Sequence, residues 1–228
     1  PDKFLDAGGQ LDRDKSVNGP LSAGIPGLPA ALVHLARNYG RLPLKQSLAP
    51  AIGIARHGFE IYPRLETGYS QRADVMARYA GSRKTFLADG DPPQTGEILI
   101  QEDLARTLEL IAEKGFDGFY RGETAQEMLN DVAKYGGNWN AEDLTGYKVV
   151  ERTPMVIDYN GWRITTAPPP SSGGVAIAQM LNILQPWDLR TMQPVLRTHL
   201  ITEAMRRAYR DRSLYLGDQD FTQIPMER

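Results

Sequence analysis

The strongest β signal in this chain ends in the dipeptide Asn160-Gly161. A two-residue hairpin turn of type I′ needs positive φ at both central positions, and Asn-Gly supplies it at least cost. The segments on either side, Met155–Tyr159 and Gly161–Ala167, are rich in Val, Ile, Tyr, Trp and Thr, which fit a pleated surface. Lys148–Thr153 has the same β-like character, and Thr85–Asp89 reads as one more short strand. A single hairpin is marginal alone. Apolar residues fall on two sets of positions, Val156 and Trp162 on one, Ile157 and Ile164 on the other. That pattern predicts a larger sheet whose other strands lie outside residues 1–228. The fold class expected is α+β, a mostly helical segment carrying one β-hairpin.

The rest of the chain is patterned for helices. Residues 1–24 are loop-like, with Gly, Asp, Lys and Ser. Ile25-Pro26-Gly27-Leu28-Pro29 opens a helix through Ala30–Tyr39, with proline near the first turn, where it is tolerated. Further helices are expected at Leu44–His57, Pro63–Tyr79, Gln101–Lys114 and Glu123–Tyr135, most of them closed by glycine. Gly90-Asp91-Pro92-Pro93 and Gly118–Arg121 read as turns, and Asn140 through Leu144 as one capped turn. Helices return at Val175–Leu184 and Gln193–Leu216. We therefore divide the chain into a mainly helical part, 1–147, a hairpin and its exit loop, 148–174, and a helical part, 175–228.

Composition removes several function classes. Lys plus Arg is 26 against Asp plus Glu 28, a formal net charge of -2, which points away from nucleic acid and anionic membranes as partners. Cysteine is absent, so disulfides, thiolate metal sites and a cysteine nucleophile are excluded. No apolar run reaches the length that spans a bilayer. Pro1-Asp2-Lys3-Phe4 has neither an initiating Met nor a signal-peptide pattern, and Pro225-Met226-Glu227-Arg228 reads like the middle of a chain.

The residues that could carry chemistry are few. His34, His57 and His199 sit in separate helices with no metal-ligand spacing, and no nucleophile elbow or phosphate-binding loop occurs. No metal or cofactor is expected. Glu203, Arg207 and Asp211 share a helical face, either as a carboxylate site or as an i,i+4 ion-pair ladder. Asp218-Gln219-Asp220 is a two-carboxylate loop, far from a complete calcium-binding pattern. The segment Ala167-Pro168-Pro169-Pro170-Ser171-Ser172-Gly173-Gly174 is more specific. Three prolines stiffen the exit from the hairpin, and two serines and two glycines precede an apolar helix. Ser171, Ser172, Gly173 and Gly174 are the substrate-pocket candidates. A serine here also reads as a helix N-cap, and a helix N-terminus can receive an anion, so both roles stay open.

Several ordered blocks resemble the gamma-glutamyltranspeptidase family of N-terminal nucleophile hydrolases. They are Gly24-Ile25-Pro26-Gly27, Tyr39-Gly40-Arg41-Leu42-Pro43-Leu44, Leu48 through Phe59, and Asp117-Gly118-Phe119-Tyr120-Arg121-Gly122. Glu151-Arg152-Thr153-Pro154, Pro168–Gly174 and Glu203 through Asp218 continue the match to the end of the chain. The resemblance implies an αββα sandwich and a precursor that cuts itself into a large and a small subunit. It implies a threonine nucleophile at the new N-terminus, with its own α-amine as base. Implied partners are the small subunit of the same precursor, a γ-glutamyl substrate such as glutathione, and water or an amino-acid acceptor. It also implies export to the periplasm or secretion.

No Thr-x-His-x-Ser string occurs here, and Thr165-Thr166 lie in the hairpin followed by Ala167. No catalytic residue of the family is therefore carried onto this chain, which resembles the central and later part of the large subunit. Alone it is expected to be inactive and prone to self-association. The resemblance extends to cephalosporin or glutaryl acylases and enzymes acting on poly-γ-glutamate. A non-enzymatic helical binding module is the remaining alternative.

Overall fold

The computed structural model describes residues 2–87 and 89–226. They fall into two units, Pro1–Val149 and Val150–Arg228.

The first unit begins with α1 (Arg13–Val17), which Asp12 caps by accepting the Lys15 N–H at 3.1 Å. Residues 1–24, expected as plain loop, thus contain a short capped helix and two 3-10 turns. This segment is tied down by charge: Arg78 donates to both Asp14 oxygens at 2.9 and 2.8 Å, and Arg72 to the Asn18 side chain. Next come α2 (Leu28–Asn38), α3 (Leu44–His57), strand β1 (Phe59–Glu60) and α4 (Pro63–Met76). Gly58 ends α3 at φ 85°, and a Cβ there would lie 2.4 Å from Ile98, so only glycine admits the turn into β1.

Ala80–Phe86 forms a helix, α5, where Thr85 and Phe86 were expected to begin a strand; Ala88 lies outside the described residues. Tertiary contacts override the local β preference. The Tyr135 hydroxyl accepts the Ala80 N–H at 2.9 Å, and Phe86 stacks on Tyr69 with centroids 5.6 Å apart. Strand β2 (Ile98–Leu99) pairs antiparallel with β1, Phe59 opposite Leu99, a ladder too short to read from the sequence.

Helix α6 (Glu102–Lys114) packs along α3 through small and branched residues, with Ala55, Ala105 and Ile111 buried. The Arg56–Glu109 ion pair at 2.8 Å spans the same two helices. The expected turn at Gly118–Arg121 is a one-turn helix, α7 (Asp117–Tyr120), leading into α8 (Gly122–Lys134). The capped turn appears as α9 (Ala141–Thr145), closed by a reciprocal box between Asn140 and Asp143.

Tyr120 organises this unit. It is fully buried, stacks on Phe116 and Tyr147, and meets Phe119 edge-on. Helix α2 has Gly27 at its N-cap, which brings no side-chain acceptor. The Tyr120 hydroxyl fills that role from elsewhere in the chain: it accepts the Ala30 N–H at 3.2 Å and donates to the Pro26 carbonyl at 2.5 Å. Burial pushes its own pKa upward.

Hydrogen bonds from Asn18 and Arg78 hold the Asp14 carboxyl below its ordinary range, and Arg56 does the same to Glu109. A carboxylate with a lowered folded-state pKa stabilises above its unfolded pKa, and that stabilisation fades as pH falls through the folded value. The melting temperature of the chain is therefore expected to drop below about pH 4. The double variant Arg56→Gln/Arg78→Gln should show a shallower acid decline. Equal acid slopes for both proteins would contradict these pairings.

The second unit carries the hairpin, β3 (Met155–Tyr159) and β4 (Trp162–Thr166). Asn160 and Gly161 adopt φ of 48° and 84°, as the turn requires. The register sets Ile157 against Ile164 and Tyr159 against Trp162. Trp162 thus shares a face with Ile157, not with Val156 as expected, because the turn pairs it with Tyr159. The other face carries Val156, Asp158, Arg163 and Thr165, and Asp158 pairs with Arg163 at 3.3 Å. That face is mostly polar, so the expectation of two apolar faces is corrected. Lys148–Thr153 is irregular rather than a strand; Pro154, without an N–H, interrupts it before β3.

Helices α10 (Ser172–Leu184) and α11 (Pro194–Tyr215) complete the unit. They pack on each other where the residues are small: Ala176 on α10, and Ala204 and Ala208 on α11, are buried. Helix α10 also rests on β3, over the buried Ile157. The described residues are α+β, mostly helical, with two small antiparallel sheets.

Candidate functional site

The Pro168–Gly174 segment turns the chain from β4 into α10. The Pro169–Pro170 peptide bond is cis, and the Ser171 N–H returns to the Pro168 carbonyl at 3.2 Å. Ser171 takes the N-cap position with extended backbone, but its side chain makes no cap hydrogen bond. Ser172 accepts from Arg212 Nε at 2.9 Å, which ties the start of α10 to the end of α11. Gly174 is buried, and a Cβ there would stand 2.2 Å from the Ala167 carbonyl oxygen and 2.8 Å from Thr166. At Gly173 the nearest atom to such a Cβ is Ser171 Oγ, at 3.8 Å. Of the four candidates, Gly174 and Ser172 hold the turn together, while Ser171 and Gly173 are exposed.

None of the four lines the cavity of about 420 Å³ between β3, α10 and α11. Its apolar wall includes Ile157, Val175, Ala178 and Leu216, and its polar wall Gln179, Asn182 and Asp211. Gln179 Nε2 donates to Asp211 Oδ2 at 2.9 Å, and Gln179 Oε1 is buried without a donor among the described residues. This fixes the amide orientation, because the reverse would set two acceptors face to face.

Nothing in the sequence singled out Gln179, and Asp211 appeared as a member of the α11 charge ladder and of the last block of the resemblance. The ladder itself divides. Glu203 accepts from Arg206 and Arg207 at 2.6 and 2.8 Å, which lowers its pKa, with Arg207 the larger cause. Asp211 accepts from Gln179 on one oxygen and has Arg210 at 3.5 Å from the other.

The Asp218-Gln219-Asp220 loop is occupied by a cation of the protein's own. Arg152 donates to Asp220 at 2.9 Å and to the Gln219 side chain at 3.2 Å. Among the described residues no group of His, Asp or Glu is arranged to hold a metal. No helix among them is long and apolar enough to cross a membrane.

A family model described as gamma-glutamyltranspeptidase matches residues 1–228. The chain is 39% identical over 229 residues to the glutathione hydrolase proenzyme of Escherichia coli (strain K12), covering 99% of this chain and 40% of that protein. The crystal structure of Helicobacter pylori gamma-glutamyltranspeptidase superposes with a TM-score of 0.94 at 37% identity, over 99% of this chain and 65% of the other. A cephalosporin acylase from Bacillus halodurans superposes with a TM-score of 0.81 at 35% identity, over 87% of this chain and 38% of its own. The chain spans about two fifths of the length of the curated relatives it matches. With the match running through the helical part, the hairpin and the Pro168–Gly174 turn alike, the chain belongs to the gamma-glutamyltranspeptidase family.

Proposed function

We propose that these residues are the central and later part of the large subunit of an enzyme that hydrolyses or transfers γ-glutamyl groups. Its substrates are glutathione and related amides, and its fold is an αββα sandwich. The observation that carries this reading is the match over residues 1–228 together with the 39% identity to a glutathione hydrolase proenzyme. The nucleophile lies outside the chain. A precursor threonine attacks the carbonyl before it and its amide bond shifts to an ester. Water then frees the two chains, exposing the threonine amine. In catalysis the hydroxyl attacks the γ-glutamyl carbonyl, the amine takes its proton and returns it to the leaving amine, and the acyl-enzyme passes to water or an amino acid. Donors outside residues 1–228 stabilise the oxyanion.

The lengths of solved relatives support a cut precursor. This chain covers 65% of the Helicobacter chain but 38% of the acylase chain, so such proteins occur as shorter and longer polypeptides. In this reading the smaller chain of the same precursor completes the sheet beside β3. Ser171 and Gly173 remain the exposed residues available at the pocket border. Export is inferred from family membership.

Residues 1–228 alone should release no anilide from a γ-glutamyl anilide above blank, and turnover by the purified chain would overturn this reading. The acylase relative favours a second substrate class, glutaryl-type amides. Full-length enzyme assayed on glutathione and on a glutaryl amide separates the two, with glutathione expected to be preferred.

A further inference from the structure

We infer that Arg152 is a positioning residue for self-cleavage, through its hold on the segment that leaves α11. The inference rests on the two-chain reading above. Arg152 lies in the irregular stretch before β3, and its side chain is only 23% exposed. Its guanidinium reaches Asp220 Oδ1 at 2.9 Å, Gln219 Oε1 at 3.2 Å and Asp218 Oδ1 at 3.9 Å. All three acceptors belong to one loop, which folds on itself. Asp218 Oδ1 accepts the Asp220 N–H at 3.0 Å, and the Asp218 carbonyl accepts from Phe221 and Thr222 at 3.0 and 2.9 Å. Past the loop, Ile224, Pro225 and Met226 turn back to wall the cavity beside β3.

Neither joined stretch has a ladder or helix to hold it, so one forked cation links two irregular segments. Guanidinium suits this task because its donors diverge in a fixed plane; an ammonium on a flexible stem cannot meet the same acceptors together. Self-cleavage needs a hydroxyl held against a particular carbonyl, and small misplacements there cost large factors in rate. In the two-chain reading the cleaved bond lies downstream of this loop, so the clamp fixes where the chain toward it sets out. Freeing the loop spreads its directions and lowers the fraction of precursors aligned for attack.

The test uses full-length precursor with Arg152→Gln, Arg152→Lys and Asp220→Asn, following uncut and cut chains by intact mass over time. Arg152→Gln should cut at least tenfold more slowly than wild type, Asp220→Asn also more slowly, and Arg152→Lys at an intermediate rate. Molecules that do mature should keep a wild-type KM for a γ-glutamyl anilide, because the clamp acts before the site is complete. If Arg152→Gln does not fold, the milder Asp220→Asn decides on the same readout. Wild-type cutting rates in Arg152→Gln or Asp220→Asn would overturn the inference, as would a slow Arg152→Gln whose matured enzyme also has an altered KM. A wild-type precursor that never cuts removes the two-chain reading itself, and the unmutated control shows this separately.

Discussion

Gly174→Ala will destabilise the chain by about 1–3 kcal/mol or more, while Gly173→Ala will leave its stability unchanged or raise it by up to about 1 kcal/mol. The two glycines are neighbours in sequence and opposite in environment. A methyl at Gly174 meets the Ala167 carbonyl at 2.2 Å and Thr166 at 2.8 Å, both on the rigid exit from β4. Backbone on one side and a β-branched residue on the other leave no cheap retreat, so α10 must lift away from β4. Gly173 points into open space in the first turn of the helix, where alanine is the better helix former. Urea unfolding of the two variants beside wild type measures the difference. Equal midpoints for the two would contradict the close approach at Gly174.

Tyr120→Phe keeps the ring and removes one oxygen, yet it is expected to cost about 2–4 kcal/mol. The loss strands the Ala30 N–H and the Pro26 carbonyl together, and Gly27 at the N-cap of α2 has no side chain to replace the acceptor. The aromatic stacking on Phe116 and Tyr147 is untouched, so the effect reports the hydroxyl alone. Thermal melting should shift down by roughly 4–16 °C for a chain of this size. Tyr147→Phe, which removes a hydroxyl from the same stack without uncapping α2, should shift it far less. A melt unchanged by Tyr120→Phe would show that α2 needs no cap from outside.

What could be read from the sequence was what local chemistry determines. Asn160-Gly161 admits one kind of turn, and the hairpin forms there in the register that turn imposes. The long helices follow from their 3.6-residue apolar period, and Asn140 with Asp143 marks a helix start by side-chain chemistry alone. The errors arise where distant residues decide. Thr85 and Phe86 read as strand because the Tyr135 hydroxyl and the Tyr69 ring are invisible to local pattern. Trp162 was assigned to the wrong face because face assignment depends on counting through the turn to its partner Tyr159. The Gly-Gly pair stood out, but only the packing distinguishes Gly174 from Gly173. Gln179 left no trace, and while Arg152 and the Asp218-Gln219-Asp220 loop were each visible, their meeting was not, since the segments lie far apart in sequence.

Intact mass and N-terminal sequencing of the expressed full-length parent test the central claim most directly. The account predicts two chains whose masses add up to the precursor plus one water, the smaller beginning with threonine and the larger containing residues 1–228. A single uncut chain that turns over a γ-glutamyl anilide would contradict it, as would a second chain beginning with any residue other than threonine.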